Sequence, residues 1–224
     1  MNFAEFITEQ KNTHMTHIED KVLYGGVRGT REAILALRSL RNTLGGEHDG
    51  SVSVKWDGAP AIFAGIDPRN NNFFVAKKGI FNKSPKVYYT AADVDADTSG
   101  DLATKLKQAL QYLPEIGIKG VIQGDFLFSK SDLRISKIKG KQYVTFHPNT
   151  IVYAIPNNTE MSKRIKKAKI GIVWHTTYTG NSFENMKASY GVNVSKLRQT
   201  SNVWSQDAML RDMTNYTMTK KDTE

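Results

Sequence analysis

The feature that most constrains the fold is a strand–turn–strand pattern in the stretch SVSVKWDGAPAIFAG, residues 51–65. Two valines and a tryptophan alternate with serine and Lys55, as in a strand with one buried face. Asp57-Gly58 then marks a tight turn, and an apolar run follows it. A chain that reverses over so short a stretch predicts antiparallel strands rather than a crossover connection.

Further elements follow in a mostly β order. Helical spacing of apolar residues predicts helices over 30–44, with Thr30 as N-cap, over 99–113 and within 159–169. Strand-like runs occupy 73–77, 120–128, 142–147, 150–156 and 170–178. Short connections between these strands predict the α+β class, with antiparallel sheets flanked by helices.

Length sets the domain organisation. A chain of 224 residues can bury a sizeable core. We expect one domain over 1–224, with an N-terminal helical part at 1–48 and a motif-bearing core at 49–178. Residues 179–224 form a C-terminal extension too short for a complete second domain.

Composition excludes several kinds of site. The chain has no cysteine, so disulfides, thiolate catalysis and sulfur-ligated metals are excluded. No apolar run approaches the roughly 20 residues of a membrane span, and the N-terminus lacks the pattern of a secretory signal. We therefore expect a cytoplasmic protein with no membrane partner. Lys and Arg exceed Asp and Glu by 31 to 22, a net charge of +9, which favours a polyanionic partner such as nucleic acid.

Lys55 changes the interpretation of the strand–turn–strand pattern. A lone lysine on a strand is ordinarily a solvated side chain. Here, however, Lys55-Trp56-Asp57-Gly58 resembles the Lys-x-Asp-Gly motif of the covalent nucleotidyltransferases: ATP-dependent DNA ligases, RNA ligases and mRNA-capping enzymes. In that superfamily the lysine attacks the α-phosphate of a nucleoside triphosphate and keeps the nucleotide as a phosphoramidate. The attack needs a neutral amine, which neighbouring cations and partial burial favour.

Four later segments resemble further elements of the superfamily, in its order. FFVAKKGIFNK implies that Lys77 and Lys78 contact phosphate or ribose and that Phe81 supports the nucleotide; a charged hairpin end is the alternative. VIQGDFLF implies that Asp125 binds ribose or a metal ion. YVTFHPNTIVYAI implies that Phe146 stacks on the base, with a core position as the alternative. KIGIVWHTTY is similar to the fourth element, whose terminal lysine matches His175.

The same comparison shows departures from the superfamily. Its metal-linked glutamate matches Ile170, and the arginine that often follows Lys-x-Asp-Gly matches Pro60. The final Lys-x-Lys element has only weak substitutes in Lys187, or in Lys196 with Arg198. We therefore expect self-adenylylation to be stronger than complete strand sealing.

Together, HIEDKVLYGG and KWDGAPAIFAG look most like ligase-like proteins of tailed bacteriophages, which would place the protein in the cytoplasm of a bacterial host. The resemblance implies an ATP-dependent polynucleotide ligase with Lys55 as adenylylated nucleophile and Asp57 and Gly58 at the nucleotide. ATP and Mg²⁺ (or Mn²⁺) would be the cofactors, and RNA or DNA ends the acceptors. A non-catalytic nucleic-acid-binding protein and a capping enzyme are the alternatives, and the sequence leaves ATP against GTP and the oligomeric state open.

Three other patterns have alternative interpretations. GGVRGT at 25–30 precedes a helix and is either a phosphate-binding turn or, more commonly, a loop-closing one. His14 and His17, near two acidic residues, have metal-like spacing, but a capping or solvated role is the commoner one. The basic run Lys163–Lys169 is either a solvated helix face or a contact for a phosphate backbone.

Overall fold

The computed structural model describes residues 17–45, 53–212, 219 and 221. The chain forms two compact units, one comprising Met1–Lys55 and Met209–Glu224 and the other Trp56–Ala208. The class is α+β, as the sequence predicts. This division does not test the predicted single domain over 1–224, which stays a prediction. Within the described ranges, no helix is long and apolar enough to cross a membrane.

The described residues of the first unit form two helices and a two-stranded antiparallel sheet. These elements are α1 (Ile18–Tyr24), α2 (Gly26–Leu44), β1 (Ser53–Lys55) and β11 (Met209–Asp212). Lys21 on α1 pairs with Glu32 on α2 at 2.8 Å. Helix α2 begins earlier than predicted, so Thr30 is not its N-cap. Instead the Thr30 hydroxyl donates to the Gly26 carbonyl one turn back, at 2.9 Å.

Strand β1 differs most from expectation. It pairs with β11, with an irregularity between Val54 and Lys55, and all three of its residues are exposed. Val54, predicted to face the core, is 48% exposed. The alternation of residues 51–56 therefore does not mark a strand of the main sheet. Ser51 and Val52 lie outside the described residues.

The second unit is built on a six-stranded sheet with the order β10–β8–β4–β2–β3, in which β9 pairs with the end of β8. Its strands are β2 (Ala61–Ile66), β3 (Phe73–Ala76), β4 (Val121–Ser129), β8 (Ile170–Thr179), β9 (Lys187–Tyr190) and β10 (Val203–Asp207). A separate three-stranded sheet comprises β5 (Arg134–Ile138), β6 (Lys141–Phe146) and β7 (Tyr153–Pro156). The helices are α3 (Ala91–Asp97), α4 (Gly100–Tyr112) and α5 (Glu160–Lys167).

The sheet is mixed rather than purely antiparallel. Strand β10 runs parallel to β8, with Val203 opposite Ile170 and Asp207 opposite Trp174. The segment after β8 therefore supplies two strands, β9 and β10, to the main sheet. Central strand β4 is buried at all nine positions, as expected for a strand covered on both faces.

Each face of the main sheet has its own core. On one face, α4 packs Leu106 and Ala109 into a cluster with Ile62, Phe126 and Trp174. On the other face, two largely aromatic clusters lie at different positions along the strands. One contains Trp56, Leu127, Phe146 and Trp204, and the other contains Phe63, Phe74, Tyr178 and Phe183. The polar residues described next belong to this second face.

Candidate functional site

The turn of the Lys-x-Asp-Gly motif is fixed on the central strand. The Ala59 N–H donates to the Phe126 carbonyl, and the Phe126 N–H donates to the Pro60 carbonyl, both at 3.0 Å. A Cβ at Gly58 would lie 2.6 Å from the Phe126 carbonyl oxygen, so a larger residue would push the turn off β4. The glycine thus brings this turn directly beside Asp125, the residue before Phe126.

Two side chains hold Asp57 in place. The Tyr153 hydroxyl accepts from the Asp57 N–H at 2.7 Å and donates to the Asp57 carbonyl at 2.9 Å. The Asn149 amide donates to a carboxylate oxygen of Asp57 at 2.6 Å. Both the backbone and the carboxylate of Asp57 are therefore oriented by residues from the β6–β7 region.

Asp125 is a buried carboxylate in the middle of an apolar strand. It lies opposite Ala61 on β2 and Val173 on β8, and 6% of its surface is exposed. His175 Nε2 lies 3.7 Å from its Oδ1. Burial of a charged group is costly unless a partner or ligand offsets it, so a carboxylate here is a candidate for function.

A β-bulge explains why His175 reaches Asp125. Gln123 lies opposite Thr176, whereas its neighbour Gly124 lies opposite Trp174, so His175 is an extra residue in β8. A Cβ at Gly124 would lie 2.2 Å from the Val173 carbonyl oxygen, so the two strands approach too closely there for any other residue. Bulges re-aim side chains and are frequent beside active sites.

Tyr153 links the two carboxylates electrostatically. Burial raises the pKa of its hydroxyl, and the negative charges of Asp57 and Asp125 raise it further, while the hydrogen bond from the Asp57 N–H opposes them. The phenol thus stays protonated at neutral pH and remains the donor to the Asp57 carbonyl. Asp57, Asp125 and Tyr153 therefore form one cluster, the acidic cluster, with His175 at its side.

The aromatic residues around this cluster divide into core and partly exposed rings. Phe146 is 2% exposed, with its ring centroid 5.0 Å from that of Phe128 and 5.3 Å from that of Tyr153. This position favours the core alternative over base stacking. Phe81 is half-buried and packs edge-on against Phe63 at 5.2 Å. Since Phe63 lies opposite Gln123, Phe81 packs near the same stretch of β4, and it is the more exposed of the two rings.

The predicted phosphate-binding lysines have different surroundings. Lys77 donates to Asp97 at 3.0 Å, and Lys86 and the Tyr88 hydroxyl bind the same carboxylate. These contacts hold the pKa of Asp97 well below its usual range, with the Lys86 hydrogen bond the largest cause. Lys78 is exposed at the start of a 3₁₀ turn, Lys78–Phe81. Lys77 thus has a structural partner, and Lys78 is the more accessible cation.

Two positions matched to the superfamily lie away from the acidic cluster. Ile170 is fully buried at the first position of β8, so a carboxylate there would place a charge in the core. Packing therefore explains why this chain has isoleucine rather than glutamate at position 170. Lys187 on β9 lies opposite Thr179, four residues beyond His175 and about 13 Å along the strand.

Lys55 is exposed at the end of β1 and directly precedes Trp56, where the second unit begins. The partial burial expected for a nucleophilic lysine is not observed. Trp56, by contrast, is 5% exposed and packs against Tyr153, with ring centroids 4.8 Å apart. The residue after Lys55 is therefore anchored through the same tyrosine that holds Asp57.

The other sequence patterns have structural roles. His17 is the N-cap of α1, where its N–H donates to Asp20 at 3.0 Å, in agreement with the capping alternative; His14 lies outside the described residues. Gly25 and Gly26 join α1 to α2, which agrees with a loop-closing turn. In the part of the chain that the structure describes, no group of three or more His, Asp or Glu residues is arranged to hold a metal ion.

A nucleotide-bound magnesium ion would still find oxygen ligands in the acidic cluster. Mg²⁺ commonly uses one or two carboxylates and completes its shell with water and substrate phosphates. Asp125 has the chemistry for that role, and Asp57 could add a second carboxylate. Sequence reasoning missed Asn149 and Tyr153, whose only signal was their place in the polar turn and strand after Phe146.

Comparison with known protein families assigns the chain. The model of DUF6267, a family of unknown function, matches residues 12–224. The chain belongs to this family. No curated protein and no solved structure matches the DUF6267 chain.

Proposed function

We propose that this protein is a ligase-type nucleotidyltransferase that attaches AMP from ATP to Lys55 and passes it to an RNA or DNA end. The proposed fold is that of the adenylation domain of the superfamily, and the proposed cofactor is Mg²⁺ (or Mn²⁺). The observation that carries the proposal is the convergence of three matched residues within the second unit. Asp57, Asp125 and His175 come from three distant segments that each resemble a separate element of the superfamily, and they lie around one phenol and one bulge.

The first chemical step makes and breaks one bond each. The Lys55 Nζ–phosphorus bond forms at the α-phosphate, the bond from that phosphorus to the bridging oxygen breaks, and pyrophosphate leaves with the electron pair. The amine proton passes to water. Mg²⁺ would offset charge on the triphosphate, while Asp125 and His175 hold ribose or the metal and Asp57 keeps the turn in place.

The test is protein adenylylation. Purified chain incubated with α-labelled ATP and Mg²⁺ should gain the mass of one AMP in an acid-labile, hydroxylamine-sensitive adduct. Lys55→Arg keeps the positive charge but removes the nucleophile, and it should form no adduct. Lys119→Ala, at an exposed lysine outside the matched elements, should match the unmodified chain. An adduct of equal yield in Lys55→Arg would refute the assignment.

A non-catalytic nucleic-acid-binding protein is the second candidate. The buried Ile170 and the exposed Lys55 favour this candidate, because nucleotidyl transfer in the superfamily uses a metal-linked glutamate and a partly buried lysine at these positions. In that case the chain would bind polynucleotides but form no adduct with ATP or GTP.

A further inference from the structure

The surface that sequence analysis did not anticipate is a basic hairpin. Strands β5 and β6 are joined by Lys139 and Gly140, both with positive φ (46° and 83°), which is the backbone of a tight two-residue turn. The hairpin sequence RISKIKGK, residues 134–141, contains four cations and no acid. Strand β5 is an edge strand with four of its five residues exposed. Lysines on an exposed edge also keep it from pairing with other chains, so the charge of the hairpin alone does not identify a partner.

A polar bridge connects the hairpin to α5. Lys137 lies opposite Gln142, whose side chain accepts from the Asn157 amide at 3.2 Å. The Asn157 side-chain oxygen in turn accepts from Lys166 Nζ at 2.9 Å. Lys130 donates to the Lys166 carbonyl. Lys137 of the hairpin and the basic run of α5 therefore lie on one polar surface, which spans the three strands, or about 10 Å.

The chemistry of this surface favours a polyanion over a lipid bilayer. Helix α5 turns Ile165 fully into the core, so its outer side consists mainly of basic residues. Ile135 and Ile138 are exposed on the hairpin, but they lie on opposite faces of β5 with Lys137 between them. A bilayer-binding element needs a continuous apolar face. The amides of Gln142 and Asn157 between the lysines are, by contrast, typical donors to phosphate oxygens.

We propose that these lysines bind the phosphodiester backbone of a nucleic acid strand. The lysine surface comprises Lys130, Lys137, Lys139, Lys166 and Lys167. This proposal rests on the proposed function in one respect, since the lysine surface would hold the polynucleotide that accepts the nucleotide. Backbone binding by lysines is independent of base sequence and falls steeply with salt.

The experiment measures binding of a short fluorescent single-stranded oligonucleotide and of a nicked duplex by anisotropy, between about 0.05 and 0.3 M salt. In Lys137→Ala/Lys166→Ala, the Kd should rise at least about tenfold at 0.1 M salt. The slope of log K against log [salt] should become shallower by about 1.4 on single strands. The matched control Lys107→Ala/Lys119→Ala removes the same charge elsewhere on the second unit and should stay within about twofold. A control variant that weakens binding equally would overturn the inference.

A folding defect is separated from a binding defect in two ways. Thermal unfolding of each variant is followed by circular dichroism. In addition, Lys139→Asn removes one charge at the tip with a residue that tolerates positive φ, and it should reduce the slope by about 0.7. Binding to phosphatidylglycerol vesicles without binding to either oligonucleotide would refute the nucleic-acid assignment.

Adenylylation of the same variants separates the two proposals. An adduct retained in Lys137→Ala/Lys166→Ala, with binding weakened, supports both. Salt-dependent binding that the variants weaken, in a chain that forms no adduct, supports the lysine surface and refutes the nucleotidyltransferase. Normal adduct formation without oligonucleotide binding supports the nucleotidyltransferase and refutes the lysine surface.

Discussion

Two buried aspartates of the second unit, Asp67 and Asp125, have different neighbours. Asp67 is fully buried and receives a guanidinium fork, with Arg69 Nε 3.0 Å from one carboxylate oxygen and Nη2 2.8 Å from the other. The Tyr89 hydroxyl also donates to it. Asp125 has instead a histidine at 3.7 Å, re-aimed by a bulge. A bidentate pair fixes a loop, whereas a buried carboxylate beside a histidine is a candidate for function.

The largest effect that tests this comparison is on adduct formation. Asp125→Asn should slow adenylylation of Lys55 at least about 100-fold, because the amide cannot offset positive charge on a metal ion or accept as strongly from ribose. The free energy of unfolding should change by less than about 1 kcal/mol, since a neutral amide of the same shape also removes a desolvation cost. Single-turnover labelling and urea unfolding measure the two quantities.

Asp67→Asn is the control for that variant. Its adduct formation per folded molecule should equal that of the unmodified chain. Equal losses of labelling in both variants would show that Asp125 acts through the fold rather than through the reaction.

The next effect is on stability. Asp67→Asn should lower the free energy of unfolding by about 2 kcal/mol, because it removes charge-assisted hydrogen bonds from Arg69. Burial alone would raise the pKa of Asp67, but hydrogen bonds from Arg69 and Tyr89 outweigh it and lower the pKa in the folded state. The stabilisation is thus complete above the unfolded value near 4 and is lost as the pH falls through the lower folded value.

The pH dependence supplies the matched measurement. Urea unfolding of both chains from neutral pH down to pH about 2 should show their difference shrinking in the acid range. A difference that stays constant over that range would mean that the Asp67 charge does not contribute to stability.

The smallest effect concerns the orientation of Asp57. Tyr153→Phe removes the hydroxyl that bridges the N–H and carbonyl of Asp57, which should cost about 1 kcal/mol of stability. Adduct formation should slow by up to about tenfold, because the turn is less well held. Tyr143→Phe, a half-buried tyrosine on the neighbouring strand β6, is the comparison and should change stability by less than about 0.5 kcal/mol.

Sequence patterns identified the elements whose signals are local. Helix α4 follows its apolar spacing, and α5 begins after Thr159, whose hydroxyl accepts from the Ser162 N–H as an N-cap. The strand partners were not recoverable, because pairing joins segments far apart in the chain. The parallel pair β8–β10 and the pairing of β1 with β11 are both of this kind.

The candidate site shows the same limit. Asp57 and Asp125 were identified from short motifs, but the bulge that brings His175 to Asp125 depends on the register between β4 and β8. Asn149 and Tyr153 were missed because their importance comes from contacts with Asp57, which lies 92 and 96 positions earlier in the chain. Packing likewise decides that Phe146 belongs to the core.

The pairing of β1 with β11 joins two segments of the first unit that lie on either side of the second unit in the sequence. The second unit is an insertion in the sequence of the first, and its own ends meet, because the Trp56 N–H donates to the Ala208 carbonyl at 2.6 Å. Truncating the chain after Ala208 would leave that insertion intact and yet remove the strand on which Lys55 is paired. The strand that carries Lys55 is therefore completed by a segment that follows the whole of the second unit in the sequence.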